Sequence, residues 1–285
     1  MRARASIIMD MNKLSVERRA QIIACLVEGN SVRATCRLTH SSKDAVLKLV
    51  ADAGKACLEY QREHLRNLPC QRIQCDEIWS FVYSKAKNVP AEHQGQFGYG
   101  DVWTWTAIDA DTKLVPCWHV GTRGPQAAHT FMRDVASRLT NRVQLSTDGH
   151  HAYLDAVDAA FAGDIDYAMI VKMYGTPPEA EKRYSPSVCI GAERKVIRGN
   201  PDREHISTSY VERQNLNMRM GMRRFTRLTN AFSKKVESHG HAIALFYMYY
   251  NFARIHQTLK TETPAMAAGV SDHVWSIEEI AELIP

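Results

Sequence analysis

The chain has 285 residues, 45% hydrophobic and 24% charged, with a formal net charge of +5. That is length enough for one large domain with a smaller one attached, and the composition is that of a soluble globular protein. No apolar run of secretory length follows the opening residues, and the most apolar stretch, 242–252, is too short to span a bilayer. A cytoplasmic protein with no membrane partner is therefore expected. Seven cysteines fall singly without a CxxC pair, which argues against disulfides and structural zinc.

The charge is unevenly spread. Residues 1–70 carry 12 Lys and Arg against 7 Asp and Glu, and residues 208–260 carry 9 against 2. Residues 71–207 carry 15 against 17, and the tail from 261 to 285 has none against 5. Two basic segments flanking a slightly acidic middle suit a polyanion such as nucleic acid.

Residues 12–60 read as helical. Ser15 caps a first helix with Ile22, Ile23, Leu26 and Val27 on one face, and Gly29 ends it. A short helix follows over 31–39. A third begins near Ser41 or Ser42 and runs to Gly54, burying Ala45, Val46, Leu49 and Val50 while Ser42, Lys43, Leu47 and Lys48 point outward. Two short helices joined by a tight turn make a helix-turn-helix, whose second helix reads the major groove. The turn places His40 where glycine is usual, and histidine tolerates positive φ better than most residues. Residues 1–69 are thus expected to be an all-α DNA-binding domain.

From Cys70 the pattern turns to strands. In "RIQCDEIWSFVYS" Asp76 and Ile78 share one face and Glu77 and Trp79 the other, so only one of the two acids is expected to face a site. Two strands follow around a turn at "DADTK", where Asp109 and Asp111 are turn residues, and Trp103 and Trp105 share a strand face and are expected in the core rather than as base-stacking platforms. A helix over "PQAAHTFMRDVASRL", a strand ending at Asp148, a helix and a strand over 167–175 complete the series. A three-stranded meander and then helix, strand, helix, strand is the order of the RNase H-like fold. The expected fold class is therefore α/β, with an RNase H-like domain over 70–260 and an acidic tail over 261–285.

Three carboxylates stand at places from which such a fold can make them converge. Asp76 is mid-strand, Asp148 ends a strand before a glycine, and Glu212 lies three residues after Ser209 at a helix start. The last pair also fits a capping box. Converging carboxylates repel one another unless cations neutralise them, and hard oxygen ligands select Mg2+.

The strings "CDEIWSF" (75–81), "STDGHHAY" (146–153), "SYVERQN" (209–215), "MRRFTRLTNAFSKKVESH" (222–239) and "YYNFARIHQTL" (249–259) together resemble bacterial DDE transposases, most closely those of the insertion sequence 1 family. The resemblance runs from about residue 12 to 268. It implies that Asp76, Asp148 and Glu212 are the catalytic triad holding two Mg2+ ions, with Mn2+ as a substitute. It further implies cleavage at the ends of an insertion sequence, joining of the 3′ ends to target DNA, and a homo-oligomer that pairs two ends in a bacterial cell. The 64 residues separating Asp148 from Glu212 exceed the short spacing of many such enzymes, and the stretch 175–205 accounts for them as an insertion.

Arg219, Arg223 and Arg224 lie beyond Glu212 and are candidate phosphate contacts, as Ser42, Lys43 and Lys48 are in the N-terminal segment. Asn251, Arg254 and His256 follow a buried helix, where support of the site and helix termination are equally good roles. Two other classes fit the same residues. One is a metal-dependent nuclease or resolvase that cuts without joining, and the other is a non-catalytic DNA-binding regulator derived from a transposase.

Overall fold

The computed structural model describes residues 13–175, 188–226 and 228–285. Part of the 175–205 stretch lies outside them. Three helices come first: α1 (Val16–Val27), α2 (Val32–Thr39) and α3 (Lys43–His64). Ser15, Ser31 and Ser42 cap them, each accepting from the backbone N–H three residues on. His40 ends α2 at φ 48 and ψ 40, in the left-handed region expected of that turn. Helix α3 runs ten residues past Gly54. A β-carbon at Gly54 would lie 2.4 Å from His241, so the glycine admits a neighbouring helix rather than ending its own.

A six-stranded sheet follows, built from β1 (Arg72–Val82), β2 (Gly100–Asp109), β3 (Trp118–Gly121), β4 (Gln144–Asp148), β5 (Asp166–Gly175) and β6 (Val188–Arg198). Its spatial order is β3-β2-β1-β4-β5-β6. The first three strands form an antiparallel meander, β4 lies parallel to β1 and β5 to β4, and β6 returns antiparallel. Between β3 and β5 stand α4 (Pro125–Arg138) and α5 (Ala152–Phe161), which pack on one face of the sheet. On the other face lie α6 (Ser209–Gly221) and α7 (Val236–Met248), around a second cluster that joins Ile78, Val211, Met218, Ile243 and Tyr247.

The stretch read as an insertion contributes β6. Its side chains from Ala192 to Arg198 are exposed. The acidic tail also folds: α8 (Pro264–Ala267) and α9 (Ile277–Glu282) lead back to α1, where Arg19 donates from Nη1 to the carbonyls of Ala281 and Ile284 at 3.5 and 3.0 Å. One hydrophobic cluster takes in Ile22, Val46, Trp105, Leu145 and Ile280, so the N-terminal helices, the sheet and the tail share a core. Among the described residues no helix is long and apolar enough to cross a membrane.

Candidate active site

The site is built where β4 stops. Its pairing with β1 ends at Cys75 and Thr147, while β1 continues for seven residues to Val82. The next contact on that edge of β1 is the bridge from Val82 to Ser233. Among the described residues no strand pairs with the edge between them, and an open cavity of about 780 Å³ lies there.

Asp76 and Glu77 occupy opposite faces of β1, as alternation requires, yet both line this cavity. Carboxylate oxygens of Asp76, Glu77 and Asp148 lie within 4.8 Å of one another. The expectation that only one of the adjacent acids could reach a site is therefore wrong. It holds inside a sheet, where neighbouring strands separate the faces. At an open edge, beyond the last residue of β4, side chains from both faces bend into the same space.

Each acid is held differently. Glu77 is fully enclosed on the α4 and α5 side, where Arg123 donates from Nε to Oε1 at 2.8 Å and the Tyr153 hydroxyl donates to Oε2 at 3.2 Å. Burial and Asp148 push its pKa up, against the pull of Arg123. Asp148 accepts at Oδ1 from the His150 backbone N–H at 3.0 Å, the local turn that a strand ending in Asp-Gly favours. Arg123 stands 4.0 Å from its other oxygen.

Asp76 faces α6. Gln74, two residues earlier on the same face, accepts at Oε1 from the N–H groups of Tyr210 and Val211 at 2.8 and 3.2 Å and so pins the start of α6 over β1. Asn215 then donates from Nδ2 to Asp76 Oδ2 at 2.9 Å. Asn215 is 5% exposed and its Oδ1 has no hydrogen-bond partner. Burial, reinforced by Glu77 and Asp148, pushes Asp76 up to about 7. A carboxyl half-protonated near neutrality beside two other acids and an orphaned amide oxygen is an arrangement that a divalent cation relieves. The oxygens that face this space are hard donors, which fits Mg2+ or Mn2+.

Glu212 lines the same cavity from the first part of α6 but stands outside the tight cluster. Its Oε1 accepts from Thr208 Oγ1 and from Lys172 Nζ, each at 2.5 Å. Ser209 is not its capping partner, because the helix begins at Ser209 with Thr208 in the cap position. Arg219 also lines the cavity. Arg223 does not continue that face: α6 ends at Gly221, where a β-carbon would meet Phe246 at 2.8 Å, and Arg223 follows in an exposed turn. Arg224 turns inward, donating from Nη1 to Ser233 Oγ and the Ser238 carbonyl at 2.8 and 3.0 Å. It braces the loop rather than presenting a solvent-facing cation.

Asn251, Arg254 and His256 lie away from the cavity. Asn251 is buried and clamps Val115 through both backbone groups at 3.0 Å. His256 accepts from the Thr258 N–H in the turn that follows, and Arg254 is exposed. Ser42, Lys43 and Lys48 are exposed as expected, although Lys48 is paired with Asp52 at 2.5 Å. Four cavity residues escaped the sequence reading: Glu77, Arg123, Lys172 and Asn215. Only Asn215 carried a signal, since it lies one helical turn beyond Glu212 and so shares its face.

No family model matches the chain, and no curated protein matches it. Among solved structures, it is similar to a piggyBac transposase in a synaptic complex with hairpin DNA, at 10% identity and a TM-score of 0.43. The match covers 94% of this chain and 69% of that one. A likeness this slight assigns no role to any residue.

Proposed function

We propose that the chain is a metal-dependent DNA strand-cleaving and strand-joining enzyme, a transposase with an RNase H-like catalytic body. The observation that carries this reading is the convergence of Asp76, Glu77 and Asp148 in an open cavity that is also lined by Glu212, Arg123, Lys172 and Arg219. Acids at the centre and cations at the rim suit a phosphodiester whose reacting group is drawn to metal while its flanking phosphates are held by side chains.

Asp76, Asp148 and Glu212 are the proposed ligands of two Mg2+ ions, with Mn2+ as a substitute. Bound there, the ions would supply Lewis acidity at the phosphate and a more acidic attacking hydroxyl. Asn215 orients the Asp76 carboxylate, and Glu77 fixes Arg123 beside Asp148. Glu212, which accepts from Lys172, would be the third ligand, and Lys172 beside it would hold a phosphate oxygen. Water as nucleophile gives a nick, and a 3′ hydroxyl in the same place gives joining. The three N-terminal helices, with Ser42 and Lys43 at the exposed start of α3, are the proposed reader of the element ends. Pairing two ends calls for at least two copies of the chain.

The test is cleavage and joining of labelled end DNA in Mg2+. Asp76→Asn and Asp148→Asn should each lose at least about a thousand-fold in both steps while still binding DNA. Cleavage by the wild type without joining would instead assign a nuclease. Wild-type activity in either variant would remove the cavity from the chemistry.

A further inference from the structure

Beyond the cavity, the outer part of β1 carries a row of aromatic rings interleaved with cations. Trp79 lies opposite Trp103 on β2, and the Arg123 guanidinium sits over the Trp103 ring at 4.6 Å. Two residues on, Phe81 lies 5.8 Å from Trp79 and 5.0 Å from Phe232, the residue before the Ser233 bridge. Lys85 stands over Phe81 at 5.9 Å, and Lys234 over Phe232 at 4.5 Å and Tyr83 at 5.7 Å. Glu77, Trp79 and Phe81 alternate onto one face, so the row starts at the cavity rim and leads away from it.

Trp79, Tyr83, Trp103 and Phe232 are half-buried, and none belongs to the hydrophobic clusters that hold the fold together. Rings that stabilise a core are normally enclosed by it. These are only half-buried, and long basic side chains lie over three of them, Arg123 over Trp103 and Lys234 over Tyr83 and Phe232. Lys85, Lys87, Lys234, Lys235 and Arg123 outnumber Glu92, Asp101 and Glu237 in the segments that form the strip.

We propose that this strip binds unpaired nucleotides of the DNA strand that enters or leaves the cavity. Bases stack on Trp79, Trp103 and Phe232, and phosphates pair with Arg123, Lys85 and Lys234. Base-sized ring faces set in line with cations beside them match a single strand, in which every base offers a face and every step a charge. A duplex keeps those faces stacked inside. Glu77 to Tyr83 spans about 20 Å of strand, the length of a short unpaired run. The assignment rests on DNA as the ligand of the neighbouring cavity, but not on metal chemistry there.

The test is fluorescence anisotropy of a labelled mixed-sequence single-stranded oligodeoxynucleotide and of a duplex of the same sequence, in EDTA across a salt series. The proteins are the full chain and its Phe232→Ala, Phe232→Leu, Lys234→Ala and Asp76→Asn variants, with folding checked by circular dichroism. Both Phe232 variants should weaken single-strand binding about ten-fold and duplex binding much less. Lys234→Ala should flatten the log K against log salt slope for the single strand by about one. The assay contains no divalent ion, so a failed catalytic reading is told apart from a failed strip; Asp76→Asn, which removes a cavity charge, should bind the single strand at least as tightly as the wild type. Folded Phe232→Leu with wild-type single-strand affinity would overturn the stacking assignment. An equal loss on duplex and single strand would overturn the choice of ligand.

Discussion

Asp76 and Glu77 are neighbours in the chain, yet the two faces of β1 treat their carboxylates in opposite ways. Glu77 is enclosed but satisfied, with a guanidinium on one oxygen and a phenol on the other. Asp76 receives the Asn215 amide and lies beside Glu77 and Asp148, and burial with these two charges pushes it up to about 7. The first carboxylate is a brace that fixes Arg123 over the cavity. The second is left electrostatically unrelieved, which is the state expected of a ligand whose partner comes from solution. Adjacent acids in a strand can thus divide two roles between them, provided that the neighbouring strand stops in time.

Turnover separates the two carboxylates most strongly. Glu77→Gln keeps the Tyr153 contact and weakens the hold on Arg123, so cleavage should fall roughly ten- to hundred-fold in single-turnover assays. The loss should stay well short of that in Asp76→Asn. Equal inactivation of the two would make Glu77 a ligand in its own right.

Stability gives the next effect, in the opposite direction. Folding raises the Asp76 pKa from an ordinary 3.8 to about 7. The folded state therefore holds this proton more tightly, and the group's contribution to stability is lost as pH rises from about 4 through 7. In EDTA, Asp76→Asn should melt roughly 2–4 °C above the wild type at pH 8, and at the same temperature as the wild type near pH 4. A lower melting temperature for the variant at pH 8 would show that the charge is compensated in the fold.

The smallest effect concerns the N-terminal helices. Lys43 makes no ion pair among the described residues, whereas Lys48 is tied to Asp52. Lys43→Ala should weaken binding to end DNA by about three- to ten-fold and lower the salt slope by about one, and Lys48→Ala should do less. The reverse order in a gel-shift series would relocate the DNA-facing side of α3.

Much of this molecule was legible from local pattern. Caps at Ser15 and Ser42, the left-handed turn at His40, the alternation through Asp76 and the strand end at Asp148 all depend on residues within one turn or one strand. What was not legible depends on partners distant in sequence. The meeting of Asp76 and Glu77 follows from where β4 ends beside β1, a register set some 70 residues away. Gly54 read as a helix end because its neighbour, His241, lies far along the chain. Strand β6 escaped notice because its side chains from Ala192 to Arg198 are exposed on both faces, leaving no alternation to mark it. Arg224 read as a surface cation because a basic run shows charge and not direction, while Ser233 and Ser238 draw it inward.

Calorimetric titration decides whether the cluster around Asp76 is a divalent-metal site. Mn2+ titrated into the metal-free protein near pH 7, in two buffers of different ionisation enthalpy, reports affinity and proton release together. The wild type should bind the ion and release protons, because a carboxyl at about 7 must give up its share of proton on ligation. Asp76→Asn should lose both signals and Asp148→Asn most of the affinity, while Glu77→Gln should keep binding. Binding of unchanged affinity and proton count in Asp76→Asn would contradict a metal site there.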